Sequence, residues 1–294
     1  MRKIVLAMIA WSTPHAIHAH GGAPEAAAPS WTYDPWIVAP LMTFGLMYGI
    51  GRLVLATKGR NRLWQDAVCA VGWLTLAGAL VSPLHWLGER VLSFHMIEHE
   101  ILMAVTAPLL VIARPIGPLL WSLPRGLRLM IGRAMRQRLS TRVWAFLSAG
   151  RNATLLHGIA IWGWHAPALF DSAVEHVFLH RLQHLSFFLT AILFWWSVFR
   201  RSDTGSAAWH VFVTMLHTSI LGALMALAPH LLYRQQAEAA AVWGLTPLED
   251  QQLAGIIMWV PAGTIYAGAA LALIALWIRR AGQDRERADA LQAL

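Results

Sequence analysis

Cysteine and charge are both scarce in this chain of 294 residues. Cys69 is the only cysteine, so the sequence excludes an intrachain disulfide and a CxxC metal or redox motif. Charged residues make up 13% of the sequence and hydrophobic residues 57%, whereas soluble domains carry roughly 25% charged residues. This composition argues against a soluble enzyme, a disordered chain and a disulfide scaffold, and it indicates a protein that crosses a membrane several times.

Seven apolar stretches of about 20 residues, each long enough to cross a bilayer, follow the N-terminal region. They lie near 36–56, 64–84, 91–112, 144–164, 177–199, 207–228 and 252–278. In lipid, such a stretch satisfies its backbone hydrogen bonds only as a helix. Sixteen tryptophans against four tyrosines also suit a protein with two membrane interfaces. The sequence therefore predicts an all-α bundle of seven transmembrane helices over residues 36–280.

Lysine and arginine are distributed unevenly between the predicted loops. Eighteen of the 23 lie beside the inner ends of the stretches, whereas the opposite side has only Arg90, Arg181 and Arg234. Because cytoplasmic loops carry the excess of basic residues, we expect the N-terminus outside and the tail, 281–294, in the cytoplasm. The net charge of +8 is then a topology signal that suits anionic lipid at the cytoplasmic face, and it does not indicate nucleic acid as a partner.

Two segments outside the spans have patterns of their own. Residues 1–19 carry Arg2 and Lys3 before a short apolar run, which predicts a secretory signal peptide cleaved after Ala19 and followed by a periplasmic linker at 20–35. A retained N-terminal anchor is the alternative. Near 118–143, apolar residues recur at helical spacing among arginines. This pattern predicts an amphipathic helix on the inner leaflet, and a solvated basic loop is the alternative.

Histidine is unusually frequent, with 14 residues against 15 acidic ones. His95 and His99 open the third stretch, and His180 and His184 open the fifth. At about 100° per residue, the two members of each pair lie about 40° apart on one helix face. Both stretches are predicted to run from outside to inside. The two pairs should therefore lie at matching depth in the outer half of the membrane and converge if their helices pack together.

Paired imidazoles inside a membrane favour a metal site, because polar groups in hydrocarbon are costly and imidazole binds copper, zinc and iron. A thioether from Met96 would favour Cu(I), and the carboxylate of Glu98 is placed to orient a ligating ring. His165, at the end of the fourth stretch, and Gln183 are further candidates. For any single histidine, a local hydrogen bond at the membrane interface is the competing interpretation.

Two other chemistries use the same residue types. HxxEH at 95–99 is the inverted zinc-protease pattern, in which the carboxylate serves as general base, but no third protein ligand is evident. Paired histidines on membrane helices also suit b-type haem, which would leave the i+4 partners unexplained. A hydrolase and a haem-binding membrane cytochrome therefore stay open as alternatives to a copper protein.

Four long stretches carry the most specific motifs. They are HMIEHEILMAVTAPLLVIARP (95–115), WHAPALFD (164–171), FLHRLQHLSFFLTAILFWW (178–196) and DQQLAGIIMWVPAGTIY (250–266). Together they resemble the CtaG-type cytochrome c oxidase assembly factors, also called the caa3 type, over nearly the whole chain. Glu98 departs from the family pattern, in which we expect Gln in many members.

The resemblance implies a multi-pass protein of the bacterial inner membrane that is not an enzyme. It implies a copper chaperone that helps load copper into the catalytic subunit of the oxidase. The paired histidines, His95, His99, His180 and His184, are then the predicted copper ligands, with Glu98, Met96, Gln183 and His165 as secondary candidates. A copper transporter is the alternative function.

Overall fold

The computed structural model describes residues 29–60, 62–234 and 239–292, and all regular structure within these ranges is helical. The predicted all-α class is therefore confirmed for the described part of the chain. The predicted signal peptide, 1–19, lies outside the described residues, as does most of the predicted linker, 20–35. The tail predicted at 281–294 starts as a direct continuation of the last helix, which runs to Gln292.

Most of the helices follow one another with short connections, and a longer segment separates the last two. They are α1 (Pro35–Ala56), α2 (Leu63–Val81), α3 (Pro83–Gly88), α4 (Leu92–Glu100), α5 (Ala107–Ala113), α6 (Ile116–Trp121), α7 (Arg125–Met135), α8 (Arg138–Leu147), α9 (Gly150–Trp164), α10 (Pro167–Glu175), α11 (Val177–Arg200), α12 (Thr204–Ala226) and α13 (Pro247–Gln292). A π-helical turn, Ile101–Thr106, joins α4 to α5, and a 3-10 turn, Ala239–Trp243, precedes α13.

Six segments in the described ranges are long and apolar enough to cross a membrane. They are α1, α2, the continuous segment from α4 to α5, α11, α12 and the first part of α13 up to Gln283. These helices support a multi-pass membrane protein. The positions of six of the seven predicted spans are reproduced to within a few residues at most ends.

The predicted fourth span, 144–164, is not one continuous helix. α8 ends at Leu147, Ala149 is extended with a ψ of 137°, and α9 begins at Gly150. The Ser148 hydroxyl donates to the carbonyl of Trp144, so a side chain closes the end of α8. α9 has 15 residues and is therefore about 22 Å long, shorter than the roughly 30 Å of a hydrocarbon core. Six helices in the described ranges are therefore long and apolar enough to cross a membrane, and the predicted count of seven is not confirmed.

The third span bends out of regular α-helical geometry between α4 and α5. Pro108, at the start of α5, has no backbone N–H, so an α-helix would leave the carbonyl four residues earlier without its donor. A π-helical turn within an α-helix, although rare, accommodates such a local break. The indole of Trp195 donates to the carbonyl of Met103 inside this turn. The helical arithmetic used for His95 and His99 applies within α4, which ends before the turn begins.

The predicted amphipathic segment, 118–143, is helical but interrupted. It comprises α6, α7 and the first part of α8, with breaks at 122–124 and 136–137. Pro124 stands in the first break, where it has an extended ψ of 146°. The single amphipathic helix is therefore replaced by short ones that keep exposed apolar residues such as Met130 and Leu139.

The apolar core lies where α4, α11, α12 and α13 meet. Its largest members include Phe187, Phe194 and Trp195 of α11 and Tyr266 of α13. α1 is mostly exposed and packs at the periphery. The two helices that carry the histidine pairs, α4 and α11, therefore both belong to the centre of the bundle.

Candidate metal centre

α4 and α11 bring their histidines together at the end of the bundle where both helices begin. Ring centroids are 5.3 Å apart for His95 and His180, 5.6 Å for His95 and His184, and 4.9 Å for His99 and His184. Within the pairs they are 4.3 Å and 4.4 Å apart. The predicted convergence of the four imidazoles is confirmed by these distances. Metal binding by them stays a prediction.

Three of the four histidines form a compact triad of ligand atoms. One ring nitrogen each from His95, His180 and His184 lies within 4.8 Å of the other two. The Nε2 atoms of His180 and His184 are 2.9 Å apart, so one of them donates a hydrogen bond to the other. His99 packs edge-on against the triad and against Phe187, and neither of its ring nitrogens has a hydrogen-bond partner.

The tautomer of His95 is fixed by a backbone carbonyl. Its Nδ1 lies 3.0 Å from the carbonyl oxygen of Gly88, and a carbonyl only accepts, so Nδ1 carries the proton. Nε2 then has a free lone pair, and this atom is buried without a hydrogen-bond partner. A Cβ at Gly88 would lie 2.8 Å from Glu98 Oε2 and 3.3 Å from the Cα of His95. The close approach of α3 to α4 therefore requires glycine.

Glu98 is fully buried and lies between two imidazoles. Its Oε1 accepts a hydrogen bond from His85 Nδ1 at 2.7 Å and is 3.4 Å from His184 Nδ1. Burial alone would lower the pKa of His85, but the hydrogen bond and the charge of Glu98 raise it above its ordinary value. This geometry favours Glu98 as a carboxylate that orients rings from behind, as the spacing predicted, rather than as a direct ligand.

The other predicted candidates lie around the triad in different ways. The buried ring of His165 lies 6.0 Å from that of His99, and its Nδ1 donates to the carbonyl of Ile161 at 2.7 Å. Gln183 is fully buried beside the histidines of α11, and its amide atoms make no hydrogen bond of normal geometry. Met96 is fully buried in the apolar core.

Residues that hold the site in place come from the start of α13, and the sequence did not identify their role. The carboxylate of Asp250 accepts from the first two N–H groups of α4 at 2.8 and 3.0 Å and so caps that helix. The side-chain oxygen of Gln251 accepts a hydrogen bond from the backbone N–H of Leu232. The hydroxyl of the following residue, Tyr233, donates to the carbonyl of His165 at 2.8 Å. The sequence signal that could have revealed this role is the polar triplet DQQ (250–252) at the start of an apolar span. The spacing of the sequence also gives no sign that His85 is the partner of Glu98.

A cleft of about 460 Å³ reaches the triad from the side of the bundle. Its walls are mainly apolar and come from α1, α2 and α11, including Phe44, Leu76, Leu80, Leu185 and Phe188. His180 and His184 lie on the wall of the cleft, and His180 is the member of the triad that is only partly buried. The ion pair of Asp34 with Arg181, 2.6 Å long, also lines the cleft and ties the start of α1 to α11.

A single family model matches the part of the chain that contains both histidine pairs and the DQQ motif. The family described as cytochrome c oxidase caa3 assembly factor (Caa3_CtaG) matches residues 46–280. No curated protein and no solved structure matches the chain significantly. The family match covers most of the sequence and agrees with the resemblance carried by the four motifs. The chain therefore belongs to the family of cytochrome c oxidase caa3 assembly factors.

Proposed function

We propose that this assembly factor binds copper at His95, His180 and His184 and passes it to the catalytic subunit of cytochrome c oxidase. The observation that carries the proposal is the triad of imidazole nitrogens within 4.8 Å, set in an apolar bundle at the start of two central helices. Buried polar atoms are normally paired, so the unpartnered ring nitrogens of His95 and His99 point to a missing partner.

The donor set fits copper in its chemistry. Neutral imidazole is a ligand for copper, and the free lone pair of His95 Nε2 faces no competing hydrogen bond. The bond between His180 and His184 would give way to bonds from both rings to the ion. The charge of Glu98, which is within 3.4 Å of His184, would offset the charge of a bound cation in this low-dielectric setting. His99, whose ring lies 4.9 Å from that of His184, is proposed as a fourth ligand.

The cleft supports transfer to a partner that is itself in the membrane. His180 and His184 lie on its wall, so a ligand exchanging with them can approach between α1 and α11. The catalytic subunit of the oxidase is the partner that the family implies. We further propose that the triad lies on the periplasmic side of the bacterial inner membrane, with the arginine-rich loops in the cytoplasm, because of the uneven distribution of basic residues.

A non-catalytic role is part of this proposal. In the protease interpretation of HxxEH, the carboxylate would have to activate a water on the metal. Glu98 instead accepts from His85 and lies against Gly88. The same carboxylate cannot fill the role of a free general base in this arrangement, so the motif supports metal holding rather than hydrolysis.

A copper transporter is the second candidate, and histidines farther along the bundle favour it. His157 of α9 is fully buried and lies 3.0 Å from Thr190 Oγ1, and His217 of α12 lies against the same helix beside Gly158. His210 is 3.1 Å from Thr154 Oγ1. These residues form a row of polar side chains between α9 and α12 that leads away from the triad. A transporter would use them as further ligands, whereas an assembly factor would not need them.

The proposal is tested in cells that lack the native gene and carry either the wild type or a His95→Leu/His184→Leu double variant. Leu leaves no unpaired polar group in the core. We expect normal amounts of oxidase polypeptide and at least about a tenfold loss of copper-loaded oxidase. His176→Leu is the matched control, because His176 is exposed and bonds only to the carbonyl of Ser172.

Two results would contradict the proposal. If the oxidase is fully loaded with copper in cells that stably express the double variant, the triad is not needed for copper delivery. A fall in total cellular copper that parallels the fall in oxidase copper would favour the transporter instead.

A further inference from the structure

The end of the bundle opposite the triad carries a second, chemically different cavity. α4 starts beside the triad, and the same span ends at Ala113, next to a cavity of about 140 Å³. The cavity lies where α1 ends, α2 begins and α5 ends. Four arginines line it, together with Tyr48, Asp66 and Trp121; they are Arg52, Arg60, Arg62 and Arg114.

The positive charge around this cavity is not balanced by the chain. Arg52 pairs with Asp66 at 2.6 Å, and the same carboxylate oxygen accepts from Tyr48 at 2.7 Å. Among the residues that the structure describes, Arg60, Arg62 and Arg114 have no acidic partner. All three are exposed, and their like charges together raise the local positive potential, which attracts an anion. The arrangement therefore suits an external anion.

The backbone at Arg114 is bent so that the chain turns at the cavity. Arg114 ends α5 with a φ of 55°, the left-handed region that a residue with a Cβ adopts at a cost of about 1 kcal/mol. It is the one non-glycine residue with positive φ in the described ranges. Pro115 follows at once and prevents the helix from continuing.

The surroundings of the cavity select an anion with an apolar tail. Lys58 and Arg128 lie over the ring of Trp121 at 4.3 and 3.9 Å from its centroid, and tryptophan is typical of membrane interfaces. Leu53 and Trp64, each close in sequence to a pocket arginine, are 71% and 70% exposed. Exposed apolar side chains therefore flank the arginines of the cavity in sequence.

We propose that this arginine pocket binds the phosphate of an anionic phospholipid, with the acyl chains along the flank formed by Leu53, Leu63 and Trp64. The cavity is smaller than the roughly 300–1,000 Å³ that encloses a whole small molecule, so it takes the phosphate and leaves the chains outside. Arginine binds phosphate oxygens through paired N–H groups. Basic pockets between membrane helices recognise lipid headgroups in this way. The site is independent of the copper triad.

The test uses the purified full-length protein in detergent, titrated with phosphatidylglycerol and with phosphatidylcholine, with bound lipid counted by native mass spectrometry. The variant is Arg60→Gln/Arg62→Gln/Arg114→Gln. The matched control is Arg125→Gln/Arg133→Gln/Arg136→Gln, which removes the same charge from α7 away from the cavity. We expect the pocket variant to bind phosphatidylglycerol about tenfold more weakly or worse, and the control to stay within about twofold of the wild type.

Three results would overturn the proposal: equal losses in both variants, equal binding of phosphatidylcholine by the wild type, or displacement of the lipid by millimolar inorganic phosphate at constant ionic strength. The last would identify a site for small anions. If the Gln variant does not fold, the triple Lys variant keeps the charge but loses the paired donors, and it should bind phosphatidylglycerol more weakly than both the wild type and the control. A Lys variant that binds phosphatidylglycerol as tightly as the wild type would also contradict the proposal. Copper content should be unchanged in every pocket variant.

Discussion

His85 and Glu98 form a buried hydrogen bond of 2.7 Å between Nδ1 and Oε1 that joins α3 to α4. The same carboxylate oxygen is 3.4 Å from His184 Nδ1 on α11. One acidic group therefore connects three helices behind the ligand triad. Because a carboxylate behind a ligating imidazole fixes the ring and raises its basicity, this contact should influence how tightly the triad holds copper.

Replacing Glu98 with Gln keeps the shape and one acceptor but removes the charge. We expect Glu98→Gln to fold normally and to bind Cu(I) about tenfold more weakly, at the lower end of the effect of such supporting groups. Competition with a Cu(I) chelator measures the affinity. Glu89→Gln is the control, since Glu89 is half exposed and 3.7 Å from His85 Nε2. Equal affinities for Glu98→Gln and the wild type would show that the charge of Glu98 does not act on the triad.

Asp250 should matter for the stability of the histidine helix. Asp250→Ala leaves two buried N–H groups at the start of α4 without an acceptor, which should cost about 2 kcal/mol or more of unfolding free energy. Asp250→Asn keeps one acceptor oxygen and should lose less. Thermal unfolding in detergent, together with the copper affinity of each variant, checks the expectation. An Ala variant as stable as the wild type would mean that water replaces the cap.

The close packing of α12 on α13 depends on glycine. A Cβ at Gly255 would lie 2.4 Å from the backbone nitrogen of Ala226, so Gly255→Ala should destabilise the protein by about 1–3 kcal/mol. Gly268 is in the same helix with open space around its Cβ position, and Gly268→Ala should be close to neutral. Similar unfolding midpoints for the two variants would contradict the packing shown here.

His210 separates the two candidate functions. It is at the far end of α12 from the triad and is already held by Thr154 Oγ1 at 3.1 Å. If the protein holds copper for delivery, His210→Leu should keep wild-type copper content and support normal oxidase assembly. Whole-cell copper measured on the same strains gives the second readout. A loss of cellular copper in this variant, with copper binding at the triad intact, would make the protein a transporter.

The sequence predicted the part of the site that depends on local geometry. The spacing of four residues placed each histidine pair on one face, and the equal position of the pairs in two parallel spans predicted their convergence. It did not predict Asp250 as a cap, because 158 residues separate it from Leu92 and only the packing of α13 on α4 brings them together. The break at Ser148 was missed for a different reason: Gly150, Arg151 and Asn152 follow it, but the apolar residues on either side were taken together as one span. The hydroxyl that closes α8 leaves no mark in the hydropathy pattern.

Metal analysis of the purified, Cu(I)-treated protein tests the central claim most directly. The wild type and the His176→Leu control should each carry about one copper per chain, as a single imidazole site predicts. His95→Leu/His99→Leu and His180→Leu/His184→Leu should each carry almost none. Combining the two should lose nothing further, because groups that act as one site are not additive. If the His180→Leu/His184→Leu variant folds and keeps its copper, the triad is not the copper site.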